Sequence, residues 1–572
     1  MNMKILLLFS IFVILLCACT TAPEIQANYD PATLKFDGER AFAIETELVT
    51  RFPDRASGFP NNRLAAEWFK QTLSSLGWEC YLDEWEIINY SHPTPLTNAV
   101  CRLPGASKRE ILVIAHRDMA ATTIQGADND GSGSAILMHL AEIFAAEGQL
   151  PYTLVFVSTD AEEYGMVGTG RYIQTHPNSS SIVAAFSMDN VGRPYYDAVT
   201  MELTGQYRKF GPLWLALTLR EAARHAGNAW EVYITALPDQ ITGQMAPVSF
   251  MDEGPLIAAG VPALGIAAHV PPEFREEDYN RWHMPEDNLE RQSAATLGNV
   301  GRVAEAFIRQ LQSMQDFPQE SGPYLFFDSS NQVLNGLPLW LIFIAFVAIF
   351  FLGSILTGRT SLPDKWRAWR SAIPHFLGLW LPMIAFILLL YLFVASGLIL
   401  YFYRYPAMTK DPYLTNPRWF VFLLALAGLV FFLLLGRRIT RRFSAPPPDP
   451  LPWVIKSFSL FVIGLAGVYV LVLNPFSLLF FVPLLFWFLI KGRHGAGKIL
   501  DVVLFFLGGL MLYALIYFFG FVLLRYNFAF FWYLMNMLAI RMVSFPSMVV
   551  ICAVIAAGMA MIIEPPRLFP TQ

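Results

Sequence analysis

Cysteine is scarce in this 572-residue chain, five in all, which is too few for a disulfide scaffold. Charge is scarce too: Asp, Glu, Lys and Arg make up 15% of the residues and hydrophobic ones 55%, far from the usual mix of a soluble domain. No His-Glu-x-x-His motif occurs anywhere, which argues against an intramembrane zinc protease. Basic residues are short in the front half, and acidic ones are nearly missing from the back. Before Leu337 there are 40 acidic and 22 basic residues, and after it 5 acidic and 18 basic, so balances of −18 and +13 combine into the formal −5. A single soluble fold is excluded. The acidity of the front half argues against nucleic acid as a partner. The apolar runs of the back half hold almost no ionisable residues in their interiors, where a transport or proton-relay path normally needs them.

What is present in the back half is a series of runs long enough to cross a bilayer of about 30 Å. They predict spans near 337–357, 376–400, 419–436, 456–473, 476–490, 500–524 and 542–563, with 527–540 short enough to be interfacial or re-entrant, so that the spans number seven or eight. The Arg- and Lys-rich loops Arg359 to Arg370, Arg437 to Arg442 and Lys491 to Lys498 follow the first, third and fifth spans, which makes them cytoplasmic. Pro446, Pro447 and Pro448 then form a stiff linker on that side. The front half falls on the outer face. Lys4 followed by Ile5 to Leu16 reads as an export signal, in independent agreement. Its end, Leu16-Cys17-Ala18-Cys19, looks like a bacterial lipobox, which implies acylation at Cys19, the alternatives being an uncleaved anchor or ordinary signal cleavage. With Cys552 in the membrane, Cys80 and Cys101 remain; they are either paired in an oxidising compartment or two buried thiols.

The front half alternates strand and helix patterns. Asp37 caps a helix running to Thr50, and another covers Asn62 to Leu76 before Gly77. Apolar runs at Ile111 to Ala115, Thr153 to Ser158, Ile182 to Phe186 and Val261 to Ile266 read as buried strands, with helices at Ser132 to Glu147 and Gly211 to Ala226. The prediction is an α/β domain, a mostly parallel central sheet with helices on both faces, followed by an all-α polytopic membrane domain. Boundaries fall at 1–19 for the signal, 20–36 for a leader, 37–312 for the α/β domain, 313–336 for a connector, 337–563 for the membrane domain and 564–572 for a tail.

Ligands of such sheets bind beyond the carboxyl ends of the strands. There stand His116-Arg117-Asp118, the loop Gly126-Ala127-Asp128-Asn129-Asp130-Gly131-Ser132-Gly133, Asp160-Ala161-Glu162-Glu163, Met188-Asp189-Asn190, and Trp282-His283-Met284-Pro285-Glu286-Asp287. Singly, each is an ordinary turn, helix cap or surface histidine. Together, imidazoles and carboxylates suit Zn²⁺. His139, His92, His176 and His225 have no such surroundings.

In that order the motifs resemble the aminopeptidase Y family of dizinc metallopeptidases, which includes bacterial leucyl aminopeptidase and glutamate carboxypeptidase. The likeness covers about residues 38 to 312 and extends to Arg51-Phe52-Pro53 and Asp252-Glu253-Gly254-Pro255. The resemblance implies a zinc-exopeptidase-like fold and a peptide substrate. It makes His116 and Asp189 ligands of one zinc and Glu163 and His283 ligands of the other, with Asp118 orienting His116 and Glu162 as general base. One position departs: the metal-bridging Asp of the family falls on Asn129. Either Asp128 or Asp130 substitutes and two ions bind, or one ion binds. The layout resembles endoplasmic-reticulum and vacuolar membrane members of the family. The expectation is an aminopeptidase on the outer face of a bacterial cytoplasmic membrane, tethered to the lipid bilayer. Its rivals are an impaired peptidase-fold binding or assembly module, motivated by Asn129, and a transporter-like protein. Substrate side chain, native metal and oligomeric state leave no mark in the sequence.

Overall fold

The computed structural model describes residues 19–90, 92–319, 322–358, 360–402, 412–443, 452–485, 516–517, 520–521 and 525–562. The apolar runs of the front half become strands. In chain order these are β1 (Thr20–Thr21), β2 (Glu79–Asn89), β3 (His92–Leu103), β4 (Ser107–His116), β5 (Tyr152–Thr159), β6 (Ile182–Met188), β7 (Val199–Glu202), β8 (Val232–Tyr233), β9 (Ala263–Ala268), β10 (Tyr324–Phe327) and β11 (Gln332–Asn335). Eight of them form one sheet in the order β2-β3-β5-β4-β6-β9-β7-β8. Its centre, β5-β4-β6-β9, is parallel, while β2, β3 and β7 are joined antiparallel at the flanks, so the sheet is mixed around a parallel heart.

Burial on both faces explains why the central strands read as unbroken apolar runs. Ile111, Val113, Leu154, Phe156 and Phe186 point to one side, where the helices Gly133–Ala145 and Ala294–Ser313 cover them. Their alternates Leu112, Ile114, Val155, Val157 and Ala185 meet Tyr172, Leu256 and Ile257 of the helices Val167–Thr175 and Glu253–Ala259 on the other. The first helix is Gly38–Arg51, with the Asp37 carboxylate accepting the Glu39 N–H at 2.9 Å as its cap. Because β5 and β6 lie on opposite sides of β4, the chain reverses its winding there, and the connections leaving the carboxyl ends of β4 and β5 run to opposite faces of the sheet and leave a crevice.

Two stretches read from sequence as a leader and a connector are folded parts of this unit. Thr20 and Thr21 pair with Val333 and Gln332, and β10 pairs with β11, in a separate three-stranded sheet. Tyr324, Phe326 and Val333 are buried in the main core. Strands of two and four residues are too short to show a period. Cys80 and Cys101, directly opposite one another in the β2–β3 register, form a disulfide.

The chain divides at Gly336 into two units. Among the described residues of the second, four helices are long and apolar enough to cross a membrane: Gly336–Leu356, Leu362–Ala395, Trp419–Ile439 and Trp453–Leu473. Pro475–Leu485, Ala529–Ala539 and Phe545–Met561 are apolar but shorter. The second helix begins well before the expected residue 376, and Lys365, Arg367 and Arg370 lie in its first turns rather than in a loop. Ser361 caps it, and the Lys365 ammonium donates to the carbonyls of Ile355, Thr357 and Gly358 at the end of the preceding helix. Ser354 and Ser457 exchange hydroxyl-to-carbonyl bonds of 2.8 Å between the first and fourth of these helices. The export run with Cys17, Pro446 to Pro448, the Lys491 to Lys498 loop, most of 486–524 and the tail 564–572 lie outside the described residues.

Candidate metal centre

β4 ends on His116. The imidazole Nδ1 is 3.0 Å from the Asp118 carbonyl and 3.4 Å from its carboxylate, which fixes the ring and sends Nε2 into the crevice. The Asp118 carboxylate also accepts the N–H groups of Glu162 and Glu163, each at 3.2 Å, and the Ser57 hydroxyl at 3.1 Å. One acid thus ties the end of β4 to the turn after β5. Within that turn Ala161 and Met166 adopt left-handed φ values of 58° and 55°, and the Glu162 carbonyl accepts from Gly165 and Met166. The turn presents both glutamates inward.

His116 Nε2 lies 3.6 Å from Asp189 Oδ1, just past β6, and 3.8 Å from Glu162 Oε2. Across the crevice His283, held at φ 60°, places Nε2 3.1 Å from Glu163 Oε2. The Asn129 amide stands in this second half: its Nδ2 is 3.2 Å from Glu163 Oε1 and 3.1 Å from His283 Nε2.

The two acids flanking Asn129 part company. Asp128 faces away, bound by the Arg193 guanidinium at 2.8 Å, the Tyr196 hydroxyl at 2.6 Å and the Gly192 N–H at 2.8 Å. Asp130 turns toward the ligands. Its Oδ1 accepts the Gly133 N–H at 2.8 Å, its Oδ2 is buried without a partner, and it groups with His116 and Asp189, their donor atoms lying within 4.8 Å of one another. A Cβ at position 133 would sit 2.5 Å from Asp130 Oδ1, so only glycine admits this approach.

Burial pushes the carboxyls of Asp130 and Glu162 well above the usual carboxylate range. Burial alone would lower His116; the Asp118 and Asp189 carboxylates beside its two ring nitrogens raise it instead. Such crowding of acids away from water is unfavourable unless a cation answers it. The orphaned His116 Nε2 and Asp130 Oδ2 beside Asp189 make a nitrogen and oxygen donor set that fits a divalent ion of the zinc type.

Sequence reading missed two supports. The Asp287 carboxylate accepts the N–H groups of Asp128 at 2.8 Å and Asn129 at 3.2 Å, holding the loop by its backbone. Arg193, wholly buried, joins Asp128 to Asp278 at 2.9 Å and approaches Asp287 at 3.8 Å, so one guanidinium links the segments that carry Asp130, Asp189 and His283. Asp287 stood within a motif already noted; nothing local marks Arg193. Three other histidines have structural partners: His139 with the Asp37 N–H and Glu142, His176 with Glu110, and His225 with the Tyr29 carbonyl.

The fold and donor set together define an α/β unit with a buried carboxylate and imidazole cluster, able to hold a metal ion, at a topological switch point. Residues 98–308, which carry every residue of that cluster, match the family model described as Peptidase family M28. A leucine aminopeptidase 1 of Emericella nidulans is 26% identical over 161 residues, covering 26% of this chain and 40% of that protein. A probable glutamate carboxypeptidase of Arthroderma benhamiae is 36% identical over 88 residues, covering 14% of this chain and 12% of its own length. The chain therefore spans well under half of these two curated relatives. Among solved structures, a zinc aminopeptidase from Bacillus subtilis aligns over 48% of this chain and 95% of its own at a TM-score of 0.40 and 14% identity. Porphyromonas gingivalis glutaminyl cyclase aligns over 48% and 98% at a TM-score of 0.41 and 19% identity.

Proposed function

We propose that this chain is a membrane-tethered, zinc-dependent exopeptidase that removes amino-terminal residues from short peptides outside the cytoplasm. The observation that carries it is the meeting of His116, Asp130, Asp189, Glu163 and His283 at strand ends with Glu162 beside them. When bound, a divalent ion there polarises the substrate carbonyl and lowers the pKa of water. The chain's own part is positional. Glu162, aimed by the bond from its N–H to Asp118, takes a proton from the attacking water and returns it to the leaving amine. Asp118 sets the angle of His116 and the place of Glu162 at once.

The charge of the site favours an amino over a carboxyl terminus as the recognised end. Carboxylates line the crevice, and the buried arginines nearby are already committed. Arg55 donates to the carbonyls of Gln125 and Gly126, Arg117 to those of Asn62, Thr97, Ser158 and Thr159, and Arg193 to Asp128 and Asp278. None offers its fork to a substrate carboxylate. The full chain, purified and supplied with zinc, is expected to cleave an aminoacyl anilide panel and unblocked di- and tripeptides and to leave their N-acetyl forms intact. Equal cleavage of blocked and free substrates, or of none, would reject the aminopeptidase reading.

Placement on the outer face is supported by the cross-strand Cys80–Cys101 bond, which needs an oxidising surrounding. In acid-quenched cells both thiols are expected to resist alkylation until a reductant is added. Free thiols at both positions would refute export. Mass spectrometry of the same material tests acylation at Cys19, the residue before β1.

A further inference from the structure

We infer that this chain holds one metal ion, between His116, Asp130 and Asp189, and that the Asn129 amide closes the other half of the centre by joining Glu163 to His283. The inference rests on the metallopeptidase reading above and deepens it.

Both halves support it. Among the described residues, His116, Asp130 and Asp189 are the group whose donor atoms converge within 4.8 Å, and His116 Nε2 and Asp130 Oδ2 are left without a hydrogen bond although buried. Among the described residues nothing else satisfies those two atoms, and a dication between them would. The opposite half is bonded within itself at the facing atoms, while Asn129 Oδ1 and His283 Nδ1 are buried without a partner. Glu163 Oε2 and His283 Nε2 lie 3.1 Å apart, and the Asn129 NH₂ group donates toward both residues, 3.2 Å from Glu163 Oε1 and 3.1 Å from His283 Nε2. An NH₂ group presents hydrogens and no lone pair, so it cannot share that space with a cation. Rotating the amide would set its oxygen against the Glu163 carboxylate. The backbone offers no relief, because the Asn129 N–H is held by Asp287.

Charge leads to the same count. Asp130 and Asp189 together neutralise one dication. A second would find Glu163 alone, one charge short, with the neutral amide where a bridging carboxylate would temper the repulsion between two ions. Asp128 cannot supply that charge, since Arg193 and Tyr196 hold it. Glu162, 3.8 Å from His116 Nε2, stands on the half that keeps its ion, so the base and the ion remain together. Asn129 therefore changes the number of ions without removing the apparatus for hydrolysis.

The test is zinc per chain, by elemental analysis of the full-length protein after equilibrium dialysis. The wild type should retain one. His116→Ala and Asp189→Asn should drop it by tenfold or more, whereas Glu163→Gln and His283→Ala should keep it. Asn129→Asp should raise retention to two. The wild-type count needs no variant to fold, and cobalt absorption, one centre against two in Asn129→Asp, reads the same quantity spectroscopically. Two tightly held ions in the wild type, or loss of the ion in His283→Ala with retention in His116→Ala, would overturn the inference and leave the peptidase reading standing. A chain that holds no zinc and cleaves no peptide would overturn that reading as well.

Discussion

Glu162→Gln is expected to fold, to keep its metal and to lose about 10²- to 10⁴-fold in turnover, the usual range for removing a general base. Glutamine fills the same volume, and the features that place residue 162 are backbone ones: its N–H to Asp118 and its carbonyl to Gly165 and Met166. The substitution withdraws only the oxygen able to accept a proton. In the structure that oxygen is 3.8 Å from His116 Nε2, close enough to reach a water molecule held by the same group of donors. Initial rates on one unblocked dipeptide, with metal content measured on the same preparation, check it. Turnover near that of the wild type with metal retained would mean that Glu162 is not the base.

The second large effect is on stability. Arg193→Met keeps an unbranched apolar stem and removes the charged group that faces Asp128, Asp278 and Asp287 from within the core. Burial already lifts the Asp128 carboxyl to about 7, and Arg193 is the main group pulling it down. Leaving such an acid buried without its cation costs about 3–5 kcal/mol. The apparent unfolding midpoint of the α/β unit, followed by tryptophan fluorescence in the full chain, should fall sharply. Asp128→Asn added to Arg193→Met should recover part of the loss, because the stranded charge is gone. A single variant as stable as the wild type, or a double variant no better than the single, would show that the network adds little.

These two residues also mark what the sequence could and could not disclose. Glu162 was legible because it sits beside a second glutamate at the end of an apolar run, and because the surrounding motifs occur in a recognisable order. The central strands were legible for a plainer reason. Runs such as Ile111 to Ala115, apolar at every position, must be covered on both faces. Arg193 was invisible because its partners lie 65, 85 and 94 positions away and follow no period. The same holds for the choice between Asp128 and Asp130. The two residues are equivalent on paper, and only Arg193, Tyr196 and Gly192, brought in by the tertiary fold, draw one of them away from the ligands. In the second unit the early start of Leu362–Ala395 escaped notice because Lys365, Arg367 and Arg370 read as a loop when charges are only counted. Ser361 and the carbonyls that Lys365 reaches make that segment a helix.

The pairing of Thr20 and Thr21 with Val333 and Gln332 gives the α/β unit the topology of a bead on a looped string. The chain enters and leaves side by side, so everything between residues 21 and 332 is closed by one short seam and could be excised as a piece. Joining Asn335 to Thr20 through a few linker residues would ask little of the backbone. New ends could open at the exposed turn around Gly148, where no atom crowds the position of a side chain. A domain whose ends meet in this way can be moved to a different carrier without a change to its interior.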